Sequence, residues 1–164
     1  MSERKCLDLK RWYCLARPQY PKSCGISSLT SCWNYLFSTL GHGSHRPIST
    51  EEALEVVGFK PPYGDISFGK ITGNDTLIKW FKLLNLKFGM KGEARISFKL
   101  HGASITHGID SAQALTHLQL GLKNPKKAYI YHCLNHYMCP VGFEINPTKP
   151  NQVNAPLEEL SESD

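Results

Sequence analysis

The stretch CGISSLTSCWNYLFSTL, residues 24–40, decides the reading of this chain. Ile26, Leu29, Trp33, Leu36, Phe37 and Leu40 recur at steps of three and four, the spacing of one face of an α-helix, and Gly41 supplies its stop. Pro21 and Lys22-Ser23 stand just ahead, so Cys24 falls at or beside the helix start. A thiol is a nucleophile only as thiolate, and the free N–H groups and dipole of a helix N-terminus stabilise that anion. Gly25 lets a substrate backbone come close. In PQYPKSCG, Gln19 lies five residues upstream, where its amide could join the Cys24 N–H in holding an oxyanion.

Working outward, Ser49 followed by Glu52 announces a short second helix through a capping box, ended by Gly58. KPPYGDISFGKITGN reads as loop, punctuated by prolines and glycines. Asn74 or Asp75 can cap a third helix that turns Leu77, Ile78, Phe81 and Leu84 inward. Ala94, Ile96, Phe98 and Leu100 alternate as in a strand with one buried face. Asp110 or Ser111 can cap a fourth helix through Leu115, Leu118 and Leu120. The stretch AYIYHCLNHYMCPVGFE predicts two strands, Ala128–Cys133 and His136–Phe143, joined by a tight turn at Leu134-Asn135. Pro140 cannot donate to a ladder, which places a bulge or an edge there. Helices first and strands later make an α+β layout, with helices on one side of a small, mostly antiparallel sheet. The expected organisation is one domain over residues 1–147, followed by a flexible tail over 148–164, Pro- and Asn-rich and then acidic.

The second candidate for chemistry is His136, at the head of a strand directly after a turn. A cysteine hydrolase needs such a base within hydrogen-bond reach of its thiol. The pairing of a nucleophile on an early helix with a base on a late strand is the arrangement of papain-like enzymes. A third group would fix the imidazole tautomer: Asn146 is the first choice, with Asn151 and Glu144 as substitutes. His132, Cys133, His136 and Cys139 also form an H-C-x2-H-x2-C run of zinc-binding chemistry. Strand alternation across the predicted hairpin argues against their convergence, so neither a metal nor a cofactor is expected.

Composition sets the class. With 41% hydrophobic and 20% charged residues, the 164-residue chain is globular and excludes wholesale disorder. It has no apolar run near the ~20 residues that cross a bilayer, and its first residues have no apolar signal core. The expectation is a soluble intracellular protein, or a piece of one, whose six cysteines are thiols. Net charge is +5, and the last seven residues, EELSESD, hold four acids and no base. The basic residues of the body are scattered, without a recognition helix or a nucleic-acid signature. A protein or peptide partner is therefore expected rather than nucleic acid or membrane.

Five segments, DLKRWYC, RPQYPKSCGISSLTSCWNYL, EEALEVVGFKPPYGDISFG, TGNDTLIKWF and AYIYHCLNHYMCPVGFE, together resemble the basic immunoglobulin-like variable motif-containing protein family. The likeness runs through roughly residues 7–144 and is most specific around Cys24 and His136. It implies a protein of nucleus and cytoplasm whose relatives are longer on both sides, so that this chain could be truncated at its C-terminus. The family name suggests an immunoglobulin sandwich, but the helical periodicities exclude one. More distantly, the Gln–Cys–Gly helix start and the late His-Tyr strand resemble papain-like and bacteriocin-processing cysteine peptidases. That resemblance implies a papain-like arrangement with Cys24 as nucleophile, His136 as base, Gln19 as oxyanion donor and Asn146 as orienter. The functional expectation is a cysteine hydrolase of peptide or isopeptide bonds, or an inactive relative. The alternative is a non-catalytic protein-interaction domain.

Overall fold

The computed structural model describes residues 5–65, 73–100 and 105–145. Around the predicted central helix the chain runs β1 (Lys5–Leu7), α1 (Leu9–Tyr13), α2 (Cys24–Phe37), α3 (Thr50–Val56), a short 3-10 turn (Tyr63–Asp65), α4 (Asn74–Phe88), α5 (Ser111–Leu122), β2 (Tyr131–Cys133), β3 (His136–Met138) and β4 (Gly142–Glu144). The class is α+β. The strands form two separate antiparallel pairs, β1 with β4 and β2 with β3, in place of one sheet.

Helix α2 departs from the one-faced reading. Every residue from Ile26 to Tyr35 is buried, the polar positions included. The small hydroxyl side chains let neighbours approach on all sides and satisfy themselves within the helix. Thr30 Oγ1 donates to the Ile26 carbonyl at 2.8 Å and Ser31 Oγ to the Ser27 carbonyl at 2.7 Å, while Ser31 Oγ accepts the Ala16 N–H at 2.9 Å. The apolar face packs on α3 and α4. Fully buried Trp33 lies 5.4 Å from Phe37, 5.1 Å from Phe88 and 5.2 Å from His45, centroid to centroid, and its Nε1 donates to Asn85 Oδ1 at 3.1 Å.

The helix ends three residues before Leu40, because Ser38 turns extended and its hydroxyl bonds back to the Asn34 carbonyl. The loop then folds tightly onto the last turn. At Gly43 an added Cβ would fall 1.9 Å from the Phe37 carbonyl oxygen, so only glycine fits there. Asn34 fixes the far side of this loop, donating to the Ile48 carbonyl and accepting the Ile48 N–H, both at 2.9 Å.

Caps show where local signals are used. Ser49 Oγ accepts the Glu52 N–H at 3.1 Å, but the Glu52 carboxylate pairs with Arg46 and does not complete a box. Asp110 and Gln113 form the full reciprocal box at α5. Gly73 occupies the N-cap of α4, and Asn74 is used elsewhere. The expected strand over 94–100 is irregular: among the described residues no strand pairs with it, and Ile96 and Leu100 are exposed. Leu134 and Asn135 make the predicted two-residue turn with φ of 46° and 62°, the positive pair that suits a tight hairpin. Strand β3 stops short of Pro140, and the chain crosses to pair β4 with β1, a strand that the sequence reading did not predict.

The first and last elements are tied by Arg11, which is 5% exposed. Its Nη2 donates to the carbonyls of Leu122, Asn124 and Lys127 at 3.1, 3.3 and 2.8 Å, at the negative end of α5. Its Nε faces Asp8 Oδ2 at 3.2 Å, and its guanidinium lies 4.0 Å over the Tyr35 ring. Among the described residues no helix is long and apolar enough to cross a membrane.

Two outcomes follow. Asn34→Leu leaves the Ile48 N–H and carbonyl buried without partners and lowers unfolding free energy by about 3 kcal/mol, read from urea denaturation. Burial, reinforced by Asp8, raises the Cys14 thiol from 9.0 to about 11. The folded chain therefore keeps a proton that the unfolded chain releases near pH 9, and the stability linked to Cys14 is present below pH 9 and lost as pH rises towards 11. The stability gap between the native chain and Cys14→Ala is constant at neutral pH and changes against the native chain above pH 9, in denaturation at stepped pH.

Candidate functional site

Cys24 is the first residue of α2, as the sequence predicts, and its side chain is partly exposed. Ser23, the N-cap, leaves the helix end open. Its hydroxyl accepts the Tyr20 N–H at 2.9 Å and shares a hydrogen bond with Ser27 Oγ at 3.1 Å, so it makes no side-chain cap. No acidic residue occupies the first turn. Neither the Ser23 hydroxyl nor a first-turn carboxylate thus bonds the N–H groups at this end.

The loop before Cys24 is held from outside. Tyr20 OH donates to Glu51 Oε1 of α3 at 2.5 Å, and Tyr63 OH donates to Glu55 Oε1 of the same helix at 2.9 Å. The Tyr20 hydrogen bond holds the Glu51 carboxyl below its usual range and raises the Tyr20 phenol. Gln19 is exposed in this loop, immediately before the turn in which the Ser23 N–H bonds the Tyr20 carbonyl at 3.0 Å.

The β2–β3 hairpin packs along α2 with its residues in order. Cys139, just after β3, donates to the Ser28 carbonyl at 3.2 Å. Tyr137 reaches the first turn: a Cβ built on Gly25 would lie 3.5 Å from its ring and 3.3 Å from Leu77 Cδ2. Glycine here lets the hairpin and α4 close on the helix end together. Tyr137 OH donates to Asn74 Oδ1 at 3.1 Å, which is the use α4 makes of its first residue. Burial, and then the proximity of Cys24, raise the Tyr137 phenol.

Stepping one residue back along each chain from the Gly25–Tyr137 contact gives Cys24 and His136. The fold thus brings the two stretches together, although no hydrogen bond joins the thiol to the imidazole in this structure. His136 is exposed at the head of β3, where alternation turns it from the buried side of the strand that Tyr137 occupies. Exposed His132 stacks on Tyr137, with ring centroids 4.1 Å apart and planes 14° from parallel. It is the direct cross-strand partner of Tyr137, as Cys133 is of His136.

The orienting group has no described occupant. Asn146 and Asn151 lie outside the described residues, and Glu144 is committed to the β1–β4 pair, 3.9 Å from Lys5 Nζ. Sequence reasoning missed His132 and Asn74 as parts of this site. The hairpin register could have supplied the His132–Tyr137 pairing, since a two-residue turn at 134–135 sets it directly. Among the described residues no group of three or more His, Cys, Asp or Glu side chains could hold a metal ion.

The profile of the family described as "Basic immunoglobulin-like variable motif-containing protein" matches residues 1–163. A Homo sapiens protein with that description is 54% identical over 152 residues, which are 93% of this chain and 30% of that protein. One from Xenopus laevis is 53% identical, again over 93% of this chain and 31% of its own length. One from Giardia intestinalis is 35% identical over 91% of this chain and 53% of its own. The chain therefore spans less than a third of the length of these vertebrate relatives. No solved structure matches it. Matched by the family profile almost end to end and more than half identical to vertebrate members over nine-tenths of its length, the chain belongs to the basic immunoglobulin-like variable motif-containing protein family.

Proposed function

We propose that the chain is a cysteine hydrolase of peptide or isopeptide bonds, built on a papain-like arrangement. Cys24 is the nucleophile and His136 the base. The observation that carries this reading is the packing of Tyr137 beside Gly25, since Cys24 and His136 are the residues that precede these two in sequence. The uncapped first turn of α2 and the partial exposure of Cys24 support it. In the reaction His136 takes the thiol proton, the thiolate attacks the carbonyl carbon, and the Cys24 N–H with the Gln19 amide receives the developing oxyanion. His136 then returns the proton to the leaving amine. Water, deprotonated by the same imidazole, releases the acyl group from the sulfur. Asn146 belongs to this proposal as the orienter of His136, and His132 supports the site by stacking on Tyr137.

A second reading, a protein-interaction domain without catalysis, is favoured by the exposed Leu7, Leu9, Trp12 and Tyr13 at the β1–α1 end.

Labelling with iodoacetamide, followed by peptide mass spectrometry, separates the two. For the hydrolase, Cys24 reacts at least ~10-fold faster than the other five thiols of the folded chain, and His136→Ala slows that reaction about 100-fold while His132→Ala changes it less. Equal labelling of the exposed thiols, or a Cys24 rate untouched by His136→Ala, removes the hydrolase and leaves the interaction domain.

A further inference from the structure

Cys32 and Cys139 lie away from Cys24, and nothing in the proposed reaction uses them. Their sulfurs are 3.8 Å apart across 107 residues of sequence. Cys32 sits in the third turn of α2 and Cys139 directly after β3. Each also has a carbonyl acceptor: Cys32 faces the Tyr129 carbonyl at 3.4 Å, and Cys139 the Ser28 carbonyl at 3.2 Å. Buried Cys14 lies close enough to Cys32 to act on it electrostatically.

We propose that Cys32 and Cys139 are a dithiol site that closes to a reversible disulfide by exchange with a low-molecular-weight disulfide of the glutathione class. The sulfurs must approach from 3.8 Å to about 2.05 Å, a shift within the reach of side-chain rotation.

The two thiols are unequal, and this sets the order of events. Cys139 is partly exposed and Cys32 buried. The Cys32 thiol, with Ser28 and Ser31, holds Cys139 below the ordinary thiol value against the opposing effect of burial, while the same contact together with burial raises Cys32. Arg11, with Cys32 and Cys139, lines a water-sized recess beside the sulfurs and favours the anion.

The Cys139 thiolate attacks one sulfur of the oxidant. The oxidant's S–S bond breaks, one thiolate leaves, and a mixed disulfide forms on Cys139. Cys32 gives its proton to the departed thiolate, attacks the Cys139 sulfur and expels the second thiolate. Two protein thiols are oxidised, and one small disulfide is reduced to two thiols. The bond ties α2 to a position two residues beyond Tyr137, so oxidation fastens the hairpin against the helix that begins at Cys24.

The test incubates the full chain, and in parallel its Cys24→Ala variant, in mixtures of oxidised and reduced glutathione. Free thiols are then blocked and disulfides mapped by mass spectrometry without reduction. The expected result is a 32–139 cross-link in both proteins, reversed by dithiothreitol. It raises the thermal midpoint by at least ~5 °C, an increase that Cys139→Ser does not show. A Cys14–Cys32 link, a glutathione adduct persisting on Cys139 without cross-link, or no reaction of either residue in the folded chain overturns the proposal. Because cross-link mapping is read on the chain with both cysteines present, the outcome does not depend on the variant folding.

Discussion

The contact between Tyr137 and Gly25 is the constraint on which the arrangement of this molecule rests. Glycine as the second residue of α2 leaves a space that one aromatic ring from a remote hairpin fills, within 3.5 Å of where a methyl would stand. Leu77 closes the same space from α4, and Asn74 accepts the phenol proton, so three distant segments meet at one backbone position. A methyl at 25 would stand in ordinary van der Waals contact with Tyr137 at 3.5 Å and slightly tight against Leu77 at 3.3 Å.

Two further sets of contacts support that seat from a distance. Helix α2 is covered on all sides because its serines and threonines are small and bond to their own helix, which lets α1, the segment around Ala16 and the hairpin pack where larger residues would hold them off. Arg11 then draws the end of α5 and the turn after it towards α1 through three carbonyls, fixing the segment from which β2 departs. The charge of Arg11 is matched by Asp8, which also accepts from Tyr35 OH at 2.8 Å. This network sets where the hairpin leaves the helices, and the Tyr137 contact sets where it lands.

Features governed by residues near one another were legible in the sequence. The start of α2 at Cys24, a cap at Asp110 for α5 and the Leu134-Asn135 turn each depend on a few adjacent side chains. Features governed by distant partners were not. Alternation at 94–100 could not reveal that no described strand lies alongside, and nothing near Lys5–Leu7 announces Gly142–Glu144 at the other end of the described chain as its partner. Asn74 has the chemistry of a helix cap, and only the presence of Tyr137 diverts it. For the site, the residue types and the two segments were readable, whereas the face on which each imidazole lies follows from a register fixed only when the hairpin meets α2. The α+β class stands despite the immunoglobulin term in the family description, since helices with short strand pairs form this body.

The most direct test of the account is a crystal structure of the chain after reaction of Cys24 with a peptide-derived electrophile, in which the bound group reports the working geometry. The account predicts a His136 ring nitrogen within about 3.5 Å of the Cys24 sulfur, with Tyr137 still seated on Gly25. An adduct formed with His136 turned to solvent on the far side of the hairpin, and no other imidazole within that distance, would contradict it.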